Sequence, residues 1–294
     1  MEKGITIITG ADGGMGQIIT GALAREGYPV VMACKDPDKA APVCERIRKE
    51  SGNDRIEVRP VNLASLASVK AFTDRLLAEG RPVDRLMNNA GILTTPIRRT
   101  EDGLETIVSV NYAAPYLLTR RLLPLMHTGT RIVNTVSCTY AIGKIESDFF
   151  RKGKNGRFNR ILVYGNTKLA LLLFTRELAG QVKERGITVN AADPGIVSTN
   201  MITMNAWFDP LTDVLFRPFI KTPAQGAATA IHLALSPDVA GKSGCCYANC
   251  KEVKQPERIL RHPLQRRLWD DTEALLLSHN LLDIKNIRET VGTY

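Results

Sequence analysis

None of the six cysteines of this 294-residue chain, Cys34, Cys44, Cys138, Cys245, Cys246 and Cys250, belongs to a C-x-x-C pair. That excludes the paired-thiolate pattern of a structural zinc site, and no metal is expected. No apolar run approaches the roughly 20 residues of a membrane-spanning helix, so no integral membrane segment is expected. Acidic residues are in deficit, 30 against 39 Lys and Arg, for a formal charge of +9. The excess is local: Arg98 and Arg99, Arg120 and Arg121, Lys152 to Arg160, and Arg258 to Arg267. Aromatics are 6% of residues, and no basic run is interleaved with them as stacking on single strands requires. A solvated basic surface is the reading, and nucleic acid is not an expected partner. Internal repeats, low-complexity segments and Pro/Gly/Ser-rich linkers are also missing. One domain over 1–294 is therefore expected, with a C-terminal extension from about Cys250. The first candidate strand opens at Ile5, which leaves no room for a signal peptide, and a reducing, cytoplasmic setting is the default.

What is present is a strict alternation of short apolar runs with amphipathic stretches. GITIITG, YPVVMAC, RIEVRPV, VDRLMNNA, TRIVNTVS and GITVNAADP read as six strands. Helices are expected over Met15 to Glu26, Pro37 to Glu50, Ser65 to Glu79, Gly103 to Met126 and Val163 to Arg185, with one more around Leu264 to Asn280. The strands are too continuously apolar to be half exposed. The pattern predicts an α/β fold, a Rossmann-type doubly wound parallel β-sheet flanked by helices on both faces. Two stretches break it, a polar basic one from about Tyr140 to Arg160 and one rich in large apolar residues from about Val197 to Thr222.

TGADGGMG joins the first strand to the first helix. Gly10, Gly14 and Gly16 permit a tight turn, close approach of a pyrophosphate and close helix–strand packing, and the amides around Met15 face the phosphates. The second strand ends Ala33-Cys34-Lys35 where an acid would select NAD. An ammonium at Lys35 would pair with a 2′-phosphate, so NADP is favoured over NAD. Asp36 is the rival reading, and Asp12 is unhelpful to a phosphate if it points inward.

Tyr164 and Lys168 are four residues apart on a helical stretch and so share a face. A phenol beside an ammonium can move a proton near neutral pH, because the cation lowers the phenol from its free pKa of about 10. Together with TGADGGMG, the NNAG run at Asn88 to Gly91, Asn111 in SVNYA, Ser137 in NTVSC and Pro194-Gly195, in that order, the chain resembles the short-chain dehydrogenase/reductase family. IGKI at Ile142, FIKTPAQGA at Phe219, YANCKE at Tyr247 and RRLW at Arg266 resemble its retinol dehydrogenase-like branch. The resemblance implies Tyr164 as acid/base, Ser137 orienting the substrate oxygen, and Asn111 holding a water that links Lys168 to solvent. It places Lys168 on the nicotinamide ribose, Asn62 and Leu63 near the adenine, and Asn89, Ala90 and Gly91 under the ribose. Further cofactor contacts are implied from Pro194, Gly195, Val197 and Thr199. The stretch between Ser137 and Tyr164 is longer than the family's usual one, by the polar segment around Glu146 to Arg160.

Met201, Met204, Trp207, Phe208, Leu211, Leu215, Phe216 and Phe219 follow Pro194-Gly195, where the fold covers its substrate. An apolar lid suggests a small lipophilic carbonyl or alcohol. Packing within the protein or an oligomer contact is equally open to it, and rest on a membrane surface, which Arg217 and Lys221 would allow, is a lesser reading. The main expectation is an NADP-dependent carbonyl reductase or alcohol dehydrogenase. The alternative is a non-catalytic nucleotide-binding redox sensor, and a minor reading is light-driven ring reduction, since protochlorophyllide reductases are similar here. Family members form homodimers or tetramers through the long helices, a surface the C-terminal extension is placed to block.

Overall fold

The structure is a computed structural model that describes residues 3–93, 98–146, 149–150, 159–197 and 220–282. Its centre is a sheet of β1 (Ile5–Thr9), β2 (Val30–Cys34), β3 (Ile56–Pro60), β4 (Val83–Asn88), β5 (Met126–Thr135), β6 (Thr188–Asp193), β7 (Cys246–Ala248) and β8 (Lys251–Glu252). The strand order is β3-β2-β1-β4-β5-β6-β7-β8. Every pair is parallel except the antiparallel edge pair β7–β8. Order reverses beside β1, so the ends of β1 and β4 open a crevice of the kind that takes a dinucleotide in open α/β sheets.

Helices lie on both faces. On one side are α1 (Gly14–Arg25), α2 (Pro37–Ser51) and α7 (Pro223–Leu235). On the other are α3 (Leu66–Glu79), the short α4 (Thr106–Val108), α5 (Ala114–Leu122) and α6 (Arg160–Gln181). Side chains of a strand alternate between faces. Ile5 and Ile7 of β1 accordingly join a core with Phe72, Leu118 and Leu172, while Ile8 joins a second core with Ile19, Ile47 and Leu233. Caps set the helix starts. Asp36 accepts the Lys39 amide at 3.3 Å and Pro37 sits at the first position of α2. Ser65 accepts the Ser68 amide at 3.3 Å at the start of α3.

Several boundaries differ from the sequence expectation. The helix expected from Gly103 begins at Thr106, because the Glu105 carboxylate accepts the amides of Ile107 at 2.7 Å and Val108 at 3.1 Å. It then widens into a π turn at Ser109–Ala113 and ends at Leu122, so β5 begins at Met126 rather than Thr130. Helix α7 and strands β7 and β8 were not expected. Helix α7 carries a readable signal, the reciprocal capping box of Thr222 and Gln225. β7 has three residues, too few for a period to register.

The C-terminal segment forms α8 (Glu257–Leu260) and α9 (Gln265–Ser278). Helix α9 packs on α5 and α6. Trp269 stacks on Phe174 with ring centroids 5.8 Å apart and meets Tyr116 at 5.0 Å. The Arg120 guanidinium lies 4.8 Å over the Trp269 ring and pairs with Glu273 at 2.8 Å. Tyr116 donates to Glu273 at 3.1 Å, and the Tyr112 and Thr272 hydroxyls meet at 2.9 Å. Among the described residues no helix is long and apolar enough to cross a membrane.

Candidate active site

The singled-out residues follow the carboxyl ends of β1 to β6. Gly10 has φ +61°, a left-handed turn that glycine adopts freely. A Cβ on Gly16 would come 2.0 Å from the Gly10 carbonyl, so only glycine lets α1 lie this close. Gly13 caps α1 without any side-chain hydrogen bond, whereas α2, α3 and α7 are each capped by a side chain. The first-turn amides of Gly14, Met15 and Gly16 therefore meet no capping group, an arrangement suited to an anion.

Thr9 ties this turn to β4. Its hydroxyl accepts the amides of Asn89 and Ala90, each at 3.0 Å, and the Asn89 side-chain amide donates to the Thr9 carbonyl at 3.0 Å. The Asn89 Oδ1 is buried with no partner among the described residues. Beneath it Asn88 donates to Thr119 Oγ1 at 3.0 Å and to Asn134 Oδ1 at 2.8 Å, fastening β4 to α5 and β5. The sequence reading quoted Thr9, Asn88 and Asn134 within its motifs but gave none of them a role. Buried polar residues inside apolar strands were the signal, since such groups must find partners. Gly91 follows Ala90 at the mouth of the crevice.

At the end of β2, Cys34 is buried and Lys35 is exposed. Asp36, the rival residue, is committed elsewhere: it caps α2 and pairs with Lys39 at 2.9 Å. Burial, with the Asp12 carboxylate against it, pushes the Cys34 thiol up to about 12. After β3, Asn62 Oδ1 accepts the Ala64 amide at 3.1 Å and its own amide donates to Ser68 Oγ at 3.0 Å, while Leu63 is buried.

Asn111 lies in the π turn and is fully buried. Its Oδ1 accepts the Ile92 amide at 2.8 Å and its Nδ2 donates to the Ile92 carbonyl at 3.0 Å. The side chain is thus held by the backbone of Ile92, on the chain after β4. The π turn supplies what an α-helix would not, room for an asparagine to reach sideways.

Ser137 leaves β5 and caps a 3-10 turn (Cys138–Ile142). That turn lies against α6 through two glycines. A Cβ on Gly143 would meet the Gly165 carbonyl at 2.4 Å, and one on Gly165 would meet the Thr139 carbonyl at 2.8 Å. This contact sets the Ser137 turn against the helix that carries Tyr164, and the Ser137 hydroxyl is near enough to favour the phenolate. Gly165, next to the tyrosine, makes this close contact, and sequence reasoning missed it.

The expected effect of Lys168 on Tyr164 needs correction. Burial pushes the phenol up to about 12, with the Ser137 hydrogen bond the one influence lowering it. The Lys168 ammonium sits 5.4 Å from the Tyr164 ring centroid and donates to the Thr135 carbonyl at 2.8 Å. Lys168 is itself held down to about 8 by burial. The cation is in place beneath the ring, but its hydrogen bond goes to β5.

After β6, Gly195 takes φ +77°, and Lys221 Nζ donates to the Pro194 carbonyl at 3.0 Å. Val197 bridges in parallel to Lys221 and lies against Gly226 of α7. Thr199 and the apolar stretch from Met201 to Phe219 lie outside the described residues. Four large hydrophobics are notably exposed among those described, Ile142, Ile161, Leu162 and Ile196. All flank Ser137, Tyr164 or Gly195 in sequence. Among the described residues no group of His, Cys, Asp and Glu is placed to hold a metal.

Comparison with known proteins bears on the family and the fold. The family model for short chain dehydrogenase matches residues 4–207. Human retinol dehydrogenase 14 is 37% identical over 294 residues, covering 94% of this chain and 87% of the relative. The crystal structure of an uncharacterized protein from Mycobacterium paratuberculosis superposes with a TM-score of 0.74 at 26% identity, covering 93% of both chains. A Beutenbergia cavernae protein described as an NAD(P)-dependent gluconate 5-dehydrogenase, with bound NADP, superposes with a TM-score of 0.67 at 26% identity, covering 85% of this chain and 96% of that one.

Proposed function

The chain belongs to the short-chain dehydrogenase family and is a retinol dehydrogenase-like oxidoreductase of Rossmann fold, and we propose that it uses NADP to interconvert a lipophilic carbonyl and its alcohol. The observation that carries the reading is the convergence of Ser137, Tyr164 and Lys168 beside a helix whose N-terminal amides lack a side-chain cap. A bound nicotinamide would supply the hydride chemistry at the substrate carbon.

The residues of the chain do the rest. The amides of Gly14, Met15 and Gly16 would bind the pyrophosphate, while Asn89, Ala90, Gly91, Pro194, Gly195 and Val197 would line the remainder of the cofactor's path. Ser137 donates to the substrate oxygen and orients it. Tyr164 gives its phenolic proton to that oxygen during reduction and accepts it during oxidation. A phenol at about 12 suits the proton donor, and an added positive charge nearby lowers it toward a usable base. Lys168, at about 8, is positioned to refill the proton on Tyr164 and to hold a ribose hydroxyl. Asn111 fixes the backbone around Ile92.

Two observations favour the finer reading. Lys35 is exposed past β2 while Asp36 is spent on its cap, which favours a 2′-phosphate over a bare ribose. Exposed Ile142, Ile161, Leu162 and Ile196 give the rim an apolar character, which favours a lipophilic substrate. Replacing Tyr164 by Phe deletes only the hydroxyl. The variant is expected to keep NADP affinity and to lose about 10²–10⁴-fold in kcat across a panel of lipophilic aldehydes. Undiminished turnover would remove Tyr164 from the chemistry.

A further inference from the structure

Ser137 follows β5 and Tyr164 lies on α6, so the reacting end of the crevice lies beyond the carboxyl end of β5. Thr135 of β5 pairs with Ala192 of β6, which brings the loop after β6 alongside the Ser137 turn. The opposite end of the crevice lies across β1, where β2 ends at Cys34. A group that holds the loop after β6 therefore acts on one half of a bound dinucleotide and leaves the other half alone.

Lys221 is such a group. Its Nζ donates to the Pro194 carbonyl at 3.0 Å and to Asn249 Oδ1 at 2.7 Å. Its backbone amide donates to the Ile196 carbonyl at 2.8 Å, and Val197 pairs with it in a parallel bridge. A Cβ on Gly195 would lie 3.0 Å from Nζ and 3.1 Å from Cε, so the lysine stem runs directly over the glycine. Gly195 thus meets two demands, the φ of +77° and the space for this stem. Within the loop the Gly195 amide donates to Asp193 Oδ1 at 2.9 Å, closing the turn across Pro194.

Both anchors behind Lys221 are themselves fixed. Asn249 has φ +51° in the turn between β7 and β8, a left-handed conformation that asparagine tolerates better than most residues. The amide of the next residue, Cys250, donates to Thr229 Oγ1 on α7 at 3.2 Å. Lys221 itself directly precedes the Thr222–Gln225 capping box, which sets the start of α7. One ammonium thereby joins the loop after β6, the β7–β8 turn and the entry to α7. Its bonds are charge-assisted, a class about twice as strong as neutral ones.

We propose that Lys221 is a positioning residue of the cofactor site: by holding the Pro194 carbonyl to Asn249, it sets where the Gly195 loop meets the nicotinamide half of a dinucleotide. This rests on the reading of the crevice given above. Lys221 acts through the loop and touches no reacting atom.

The test compares whole dinucleotides with their adenosine halves, NADP with 2′,5′-ADP and NAD with ADP, by calorimetric titration of the full chain. Lys221→Met keeps the stem and deletes the ammonium. It is expected to raise the Kd of the bound dinucleotide about tenfold and to leave that of its adenosine half unchanged within about twofold. Asn249→Gly keeps the left-handed turn and deletes the acceptor. It is expected to raise the dinucleotide Kd by a smaller factor, and the double variant to bind no more weakly than Lys221→Met alone. Equal weakening of both ligands would show a purely structural role and overturn the proposal, as would an unchanged dinucleotide Kd. Should Lys221→Met fail to fold, Asn249→Gly decides by the same two readings. A wild-type chain that binds neither dinucleotide refutes the reading of the crevice and the proposal together, whereas a wild-type chain that binds one, with no selective loss in the variants, refutes the proposal alone.

Discussion

Gly165→Ala sets two opposed effects against each other at the contact that aligns Ser137 with Tyr164. Gly165 lies inside α6, where alanine is favoured over glycine by about 1 kcal/mol. A Cβ there would, however, lie 2.8 Å from the Thr139 carbonyl oxygen. Ordinary contact begins near 3.4 Å, so the 3-10 turn must retreat by about 0.6 Å and carry Ser137 with it. Overpacking of this kind costs about 1–3 kcal/mol, which outweighs the helix gain by about 0–2 kcal/mol. Activity should respond more steeply. A 1 Å misplacement of reacting groups can cost about 10²-fold, so about 0.6 Å predicts a loss of about tenfold. The assay is kcat on a lipophilic aldehyde, with NADP Kd by fluorescence titration and stability by urea unfolding. We expect kcat lowered about tenfold, Kd unchanged within about twofold, and a stability loss of no more than about 2 kcal/mol. A variant more stable than wild type with full kcat would show that the glycine contact does not set the Ser137–Tyr164 geometry.

Lys35→Ala is expected to lower the kcat/KM preference for NADP over NAD; an unchanged ratio would take Lys35 out of cofactor selection. Trp269→Ala should cost about 3–5 kcal/mol in urea unfolding and strip hydrogen-exchange protection from α9, and a change under about 1 kcal/mol would mean that the stack on Phe174 and Tyr116 adds little. Lys168 predicts a pH dependence of stability. Its folded pKa of about 8 lies below its ordinary 10.5, so between these values the unfolded chain binds a proton that the native chain has released, and stability rises with pH. Tyr164 acts in the opposite sense above its ordinary 10.0, which closes the useful window near there. Wild type should therefore gain up to about 3 kcal/mol between about pH 8 and 10 relative to Lys168→Met, and parallel curves would contradict a buried, depressed ammonium.

The strands from β1 to β6 were legible because each carries a short apolar stretch with turn residues near its ends, and because glycine spacing between β1 and α1 admits few backbones; the edge strand β3, IEVRP, departs from the expected burial, being half exposed. What escaped was geometry that depends on partners far along the chain. Asn111 looked misplaced in a helix; only the π turn and Ile92, 19 residues away, explain it. Gly165 read as a helix residue of poor propensity, because its contact with Thr139 comes from a turn on another strand. The sign of the Tyr164 shift escaped for a similar reason. Spacing places Lys168 one turn away, but the direction of its ammonium is set by the Thr135 carbonyl at the end of β5. Asp193 was read only as the end of an apolar strand, and its bond from the Gly195 amide emerges only once the turn across Pro194 is seen.

Helix α9 gives the long helices a built-in lodger. Were a second copy of the chain to approach across α5 and α6, it would have to evict Trp269 and strip Glu273 from Arg120, whose side chain is 2% exposed. An orphaned guanidinium in that setting is far costlier than the stacking it would release. The face of α5 and α6 that α9 covers is thus filled from within the same chain.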